Sequence, residues 1–199
     1  MNKFWFYFLS FTWGLPMTLI GLITAVFIIP IMLISGNKPS RYGYCIHLKL
    51  GCMCGGMNLG IVILTGLKTS DSLNSHEHGH ALQNCYWGFL FPFVIALPSL
   101  IRCWYRGVKT IKGKYAFAVV LSVISSIVGA IISIVFGIYG IWWLYAIGMF
   151  IIIYFMILAI WFCNETPKYE KGYVNYDDFW AEGEATKWGE EFIKNLGEK

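Results

Sequence analysis

The 199-residue chain is 57% hydrophobic and 13% charged, with a formal net charge of +4. That balance excludes an ordinary soluble domain, in which charged residues are about a quarter of the chain. Its basic residues flank apolar runs and form no single polybasic face, so nucleic acid is excluded as a partner and a lipid bilayer is expected.

Only Lys3 precedes the first apolar stretch, which is too long for a signal peptide and lacks a small-x-small cleavage pattern. It reads as a retained first span over residues 1–35, with its apolar run from Phe11 to Ile34 and with Pro16 and Pro30 allowing a kink or an early stop. After the polar break Gly36-Asn37-Lys38-Pro39-Ser40-Arg41, partial alternation from Tyr42 to Leu50 and β-branched residues from Met57 to Thr65 predict a small β-hairpin over 42–66. Cys52 and Cys54 have no second pair to complete a thiolate zinc site, and the six cysteines are expected to be structural thiols.

Residues 74–106 are expected to hold a motif-bearing helix and an apolar segment. The N-cap-rich run Lys68 to Ser75 predicts a helix from about His76. The stretch Trp87 to Ile101 is too short for a standard span and contains Pro92 and Pro98, which predicts a re-entrant or interfacial segment. A basic connector from Arg102 to Lys114 leads into a transmembrane hairpin over 115–163. The tail, 164–199, is polar, with an amphipathic helix expected from Tyr176 to Leu196. The fold class is therefore a mainly α membrane protein in one embedded domain, with about three transmembrane helices. Two crossings between the motif and the tail would return the tail to the motif's side. The clustered Lys38, Arg41, Lys49, Arg102, Arg106, Lys109, Lys112 and Lys114 assign that side to the cytoplasm.

The chemistry concentrates in His76-Glu77-His78-Gly79-His80. His76 and His80, four apart on a helix, project from one face as a two-histidine zinc grip requires. Glu77 beside them could take a proton from metal-activated water attacking a peptide carbonyl. His78 points off that face and reads as a surface or second-shell residue, while His47 reads as core or surface. A catalytic zinc takes three protein ligands. Glu182 is the candidate third, because it shares a helical face with the small residues Ala185 and Gly189, and Gly79 offers matching clearance on the other helix. Glu184 shares a face with Trp180 and Trp188 and reads as a rim carboxylate. The competing readings are a solvated histidine-rich loop and an ordinary membrane-surface tail helix.

His-Glu-x-Gly-His-x-x-Gln from His76 to Gln83, the preceding Gly55-Gly56-x-x-Leu59-Gly60, the segment ending Leu97-Pro98-Ser99 and the late Glu182-x-x-Ala185 together resemble small bacterial membrane proteins of gluzincin-like metallopeptidase type. The resemblance covers about Gly55 to Gly189 and implies an integral protein of a bacterial or phage-encoded inner membrane. It also implies zinc on His76, His80 and Glu182, Glu77 as base, a substrate-aligning strand within Met57 to Thr65, and a peptide or membrane-protein substrate. Gluzincins often carry an aspartate four residues after the third ligand. Here that position is Thr186, an uncharged second-shell candidate. Tyr173 and Tyr176 are the candidates for oxyanion stabilisation. The alternative function is a zinc-stabilised membrane scaffold or interaction protein without catalysis.

Overall fold

The computed structural model describes residues 1–53, 55–172 and 174–197. The chain divides into two compact units, Met1–Ser99 with Asn175–Lys199, and Leu100–Val174. Among the described residues three helices are long and apolar enough to cross a membrane: Leu15–Ile34, Ile111–Ile138 and Trp142–Glu170.

In the first unit the apolar N-terminus is two helices, not one span. Helix α1 (Lys3–Phe11) is capped by Asn2, whose side chain accepts from the Trp5 amide, and α2 (Leu15–Ile34) follows after a short break. The break is imposed by docking: the Asn84 side chain donates to the Gly14 carbonyl at 3.2 Å, and a Cβ on Gly14 would collide with Asn84. Pro16 lies in the first turn of α2, where its missing N–H would be unpaired in any case, and α2 continues through Pro30 to Ile34.

The expected hairpin over 42–66 is instead a four-stranded mixed sheet. Strands β1 (Ser40–Tyr42), β2 (Cys45–Leu50), β3 (Gly56–Leu59) and β4 (Val62–Gly66) lie in the order β1-β2-β4-β3. Gly43 and Gly60 both take positive φ, 56° and 66°, so the chain makes two tight turns where one was expected. The most apolar strands, β2 and β4, then pair in parallel at the centre, with Cys45, Leu48, Val62 and Ile63 wholly buried. This leaves β3 as an edge strand. Its turn into β4 packs on α2, where a Cβ on Gly21 would strike the Leu59 carbonyl.

Helix α3 (Asp71–Trp87) starts earlier than the sequence predicts, because Ser70 is the N-cap and accepts from the Leu73 amide at 3.2 Å. The histidine motif therefore lies inside the helix, flanked by backbone that is already hydrogen-bonded. A 3₁₀ turn (Gly88–Leu90) and a π-helical stretch (Pro92–Ala96) follow, and the helical path bends there before α4 (Leu97–Gly107). In the tail, a 3₁₀ turn (Tyr176–Asp178) precedes α7 (Trp180–Gly197), which lies against α3 with the backbones touching. A Cβ on Gly79 would overlap the Ala185 carbonyl, and one on Gly189 would overlap the Ser75 carbonyl.

The second unit is built on α5 (Ile111–Ile138) and α6 (Trp142–Glu170), which pack through Gly129 and Gly148 as small residues do between apolar helices. Helix α6 does not stop where the apolar run ends near Phe162. Its continuation is held by Arg102, which pairs with buried Glu165 at 2.8 Å, and by the Tyr105 ring stacked on Phe162 at 4.6 Å. Removing one partner of such a buried pair is far more disruptive than never having built it.

Replacing Gly79 with Val is expected to lower stability by about 1–3 kcal/mol through overpacking, read as a drop in thermal midpoint in detergent. Gly55, which has open space around its Cβ position, is the control, and its Val variant should stay within about 0.5 kcal/mol of wild type.

Candidate metal centre

The α3–α7 contact decides the site. With the two backbones touching, the imidazoles of His76 and His80 reach the first turn of α7, where Glu182 is fully buried. Glu182 Oε2 lies 3.0 Å from His76 Nε2 and 3.3 Å from His80 Nε2. The imidazoles stand edge to face with centroids 4.8 Å apart, and one ligand atom from each of the three residues falls within 4.8 Å of the others. Ligands about 2.0–2.2 Å from a tetrahedral ion lie roughly 3.3 Å from one another. The group therefore has the donors and spacing to hold a metal ion, and it unites residues 106 positions apart.

The hydrogen bonds behind the imidazoles assign their tautomers. The Thr186 hydroxyl donates to Asp177 Oδ1 at 2.9 Å, so its oxygen can only accept from His76 Nδ1, 2.8 Å away. The Gln83 amide donates to the Ala181 carbonyl and to Glu184 Oε2, both at 2.9 Å. Its Oε1 therefore accepts from His80 Nδ1 at 2.8 Å. Both Nδ1 atoms carry protons that point away from Glu182, and both Nε2 atoms face its carboxylate, donating to it when they carry a proton and free to ligate when a metal ion takes that proton's place.

Burial works against a charge on Glu182, but hydrogen bonds from His76 and His80 outweigh it and hold the carboxyl well below the usual range. Ser99 adds a short hydrogen bond to Glu182 Oε1. Glu77 is treated in the opposite way. Its carboxyl is buried against Gly56 of the edge strand, where a Cβ would strike it, and Oε2 has no hydrogen-bond partner among the described residues. Burial raises its pKa, and the nearby His80 and His76 offset only part of that. Tyr176 brings its ring to 5.8 Å from His76, and burial with the Glu182 charge pushes its phenol pKa up.

All but two of the residues singled out in the sequence have a definite place. His76, His80 and Glu182 converge, Thr186 backs His76, and Glu77 lies beside the group between α3 and β3. His78 departs from the expectation of a surface or second-shell residue. It is wholly buried on the other face of α3, stacked on Phe192 at 4.2 Å and facing Phe6 at 5.9 Å, and it accepts the Tyr44 amide at 3.3 Å. Glu184 is half-buried and bonded to Gln83. His47 is buried, with Nε2 2.7 Å from the Thr65 hydroxyl. Cys45, Cys52, Cys85, Cys103 and Cys163 are free thiols, while Cys54 and Tyr173 lie outside the described residues. Sequence reasoning missed the supporting roles of Ser99, Gln83 and Asp177. Gln83 follows His80 by three, a same-face spacing that was legible, whereas no sequence spacing links Asp177 to His76 or Ser99 to Glu182. Compared with known proteins, the chain matches no family model, no curated protein and no solved structure.

The buried His78 makes the fold acid-sensitive. Burial lowers its pKa to about 4, against about 6.5 in an unfolded chain. Between those values the unfolded chain takes up a proton that the folded one excludes, so stability is complete above the upper value and falls as pH drops toward the lower. In metal-free protein the acid loss of thermal stability over that window should be smaller by about 3 kcal/mol for His78→Gln than for wild type.

Proposed function

We propose that the chain is a membrane-bound, zinc-dependent metallopeptidase of gluzincin type, with its site at the cytoplasmic face. The observation that carries this reading is the convergence of two imidazole nitrogens and one carboxylate, all backed by hydrogen bonds, beside a second carboxyl whose Oε2 has no hydrogen-bond partner among the described residues. Two histidines and a glutamate with no thiolate form a donor set suited to catalytic zinc. Buried Glu77 Oε2 is the kind of polar atom that calls for an explanation by function, because burial without a partner is unfavourable.

When bound, zinc supplies Lewis acidity that polarises the scissile carbonyl and makes water nucleophilic near neutral pH. Glu77 takes the proton released as water adds to the carbonyl carbon and returns it to the departing amine nitrogen. Its raised pKa suits both transfers. Tyr176, kept protonated by burial and by the Glu182 charge, donates to the oxygen that becomes negative. Among the described residues strand β3 presents one row of backbone groups to no other strand, and an extended peptide can pair there next to Glu77. The substrate-aligning role thereby falls on Gly56–Leu59, since β4 is enclosed between two strands. Helix α2, in the same unit as the site, is long and apolar enough to cross a membrane, which supports membrane-bound substrates.

Detergent-purified wild type should carry about one zinc per chain, and His80→Ala and Glu182→Ala should carry little. Equal metal in all three would remove the site. Glu77→Gln should keep its metal while hydrolysis of a peptide pool falls at least about a hundredfold. Zinc binding with no hydrolysis by the wild type would leave the scaffold reading in place.

A further inference from the structure

We propose that Asp177 is the carboxylate that orients and polarises His76 for the metal, acting through the Thr186 hydroxyl. This rests on the metal-site reading above and adds to it a residue on a separate element. An imidazole that ligates through Nε2 binds better when Nδ1–H faces a negatively charged acceptor, which fixes the ring and raises its basicity. At Thr186 the chain offers His76 Nδ1 a neutral hydroxyl in place of a charged acceptor. A hydroxyl has one proton, and here that proton goes to Asp177 Oδ1 at 2.9 Å while the oxygen accepts from His76 Nδ1 at 2.8 Å. The carboxylate's charge thus reaches the ring one hydrogen bond further on, and the two bonds polarise each other.

The backbone around Asp177 holds it in that position. Its amide donates to Asn175 Oδ1 at 3.4 Å, closing the 3₁₀ turn ahead of α7. Gly183 on the first turn of α7 lacks the Cβ that would strike the Asp177 carbonyl, so the turn lies directly on the helix. Asp177 itself is exposed, as is its neighbour Asp178, for which no bond to Thr186 is seen. A plain preference for acids near a helix N-terminus would apply to both residues and would not select Thr186 as partner. The pair therefore separates a relay from a general field.

The test is a zinc-affinity series by competition with a chromophoric chelator on detergent-purified protein, with thermal unfolding of the metal-free forms alongside. Asp177→Asn should weaken zinc binding about tenfold, with Asp178→Asn close to wild type. Moving the carboxylate, in Asp177→Asn with Thr186→Asp, should restore affinity, which a merely structural role for Asp177 would not predict. Should that variant melt early, a cycle decides: Thr186→Val should weaken binding, and adding Asp177→Asn to it should weaken it no further. Equal effects of Asp177→Asn and Asp178→Asn, or additive losses in the cycle, overturn the relay. Wild type that binds no zinc removes the metal reading itself, a result distinct from either.

Discussion

Everything at the candidate site depends on the backbone contact between α3 and α7. Gly79 faces the Ala185 carbonyl and Gly189 faces the Ser75 carbonyl, with no side chain between them. Glutamate is short, and its carboxylate meets two imidazoles on another helix only if the helices approach this closely. Metal coordination tolerates errors of about 0.2 Å in ligand distance, whereas a single methyl group inserted between the helices would shift Glu182 by more than that. The small residues are therefore as much a part of the site as the ligands.

Helix α3 shows how one element can carry two kinds of buried histidine. From Asn74 to Asn84 most of its side chains are polar, yet nearly all are buried. A helix that is polar on every side and still enclosed must find partners all round. On one face His76 and His80 find Glu182, Thr186 and Gln83. On the opposite face His78 is stacked among aromatic rings and tied to the Tyr44 amide, where it is held neutral. The same side chain serves as a candidate ligand or as packing according to which neighbour the helix turns toward.

The second unit follows the same rule in a more apolar setting. Its buried charged groups are drawn into one cluster, with Arg102 on Glu165, the Tyr105 hydroxyl on Thr166 at 2.8 Å and Lys114 donating to the Tyr105 carbonyl at 3.0 Å. Paired in this way, charged and hydroxyl groups extend α6 beyond its apolar run. Their pairing explains why the helix outlasts the hydropathy that announces it.

The sequence by itself determined the mainly helical, apolar architecture and the local half of the site. Both follow from short-range rules: hydrocarbon thickness sets the length of an apolar helix, and four-residue spacing puts His76 and His80 on one face. Glu182 was also legible, because Gly79, Ala185 and Gly189 announce a close helix contact before any partner is known. Only the tertiary structure decided the mixed sheet, the separation of α1 from α2, the inward burial of His78, and the bonds from Ser99 and Asp177. Strand order depends on which apolar strands meet at the centre. The N-terminal break depends on Asn84, distant in sequence, and the Ser99 bond depends on a bend in the helical path. Each of these is a contact between residues that no periodicity connects, so packing alone could place them.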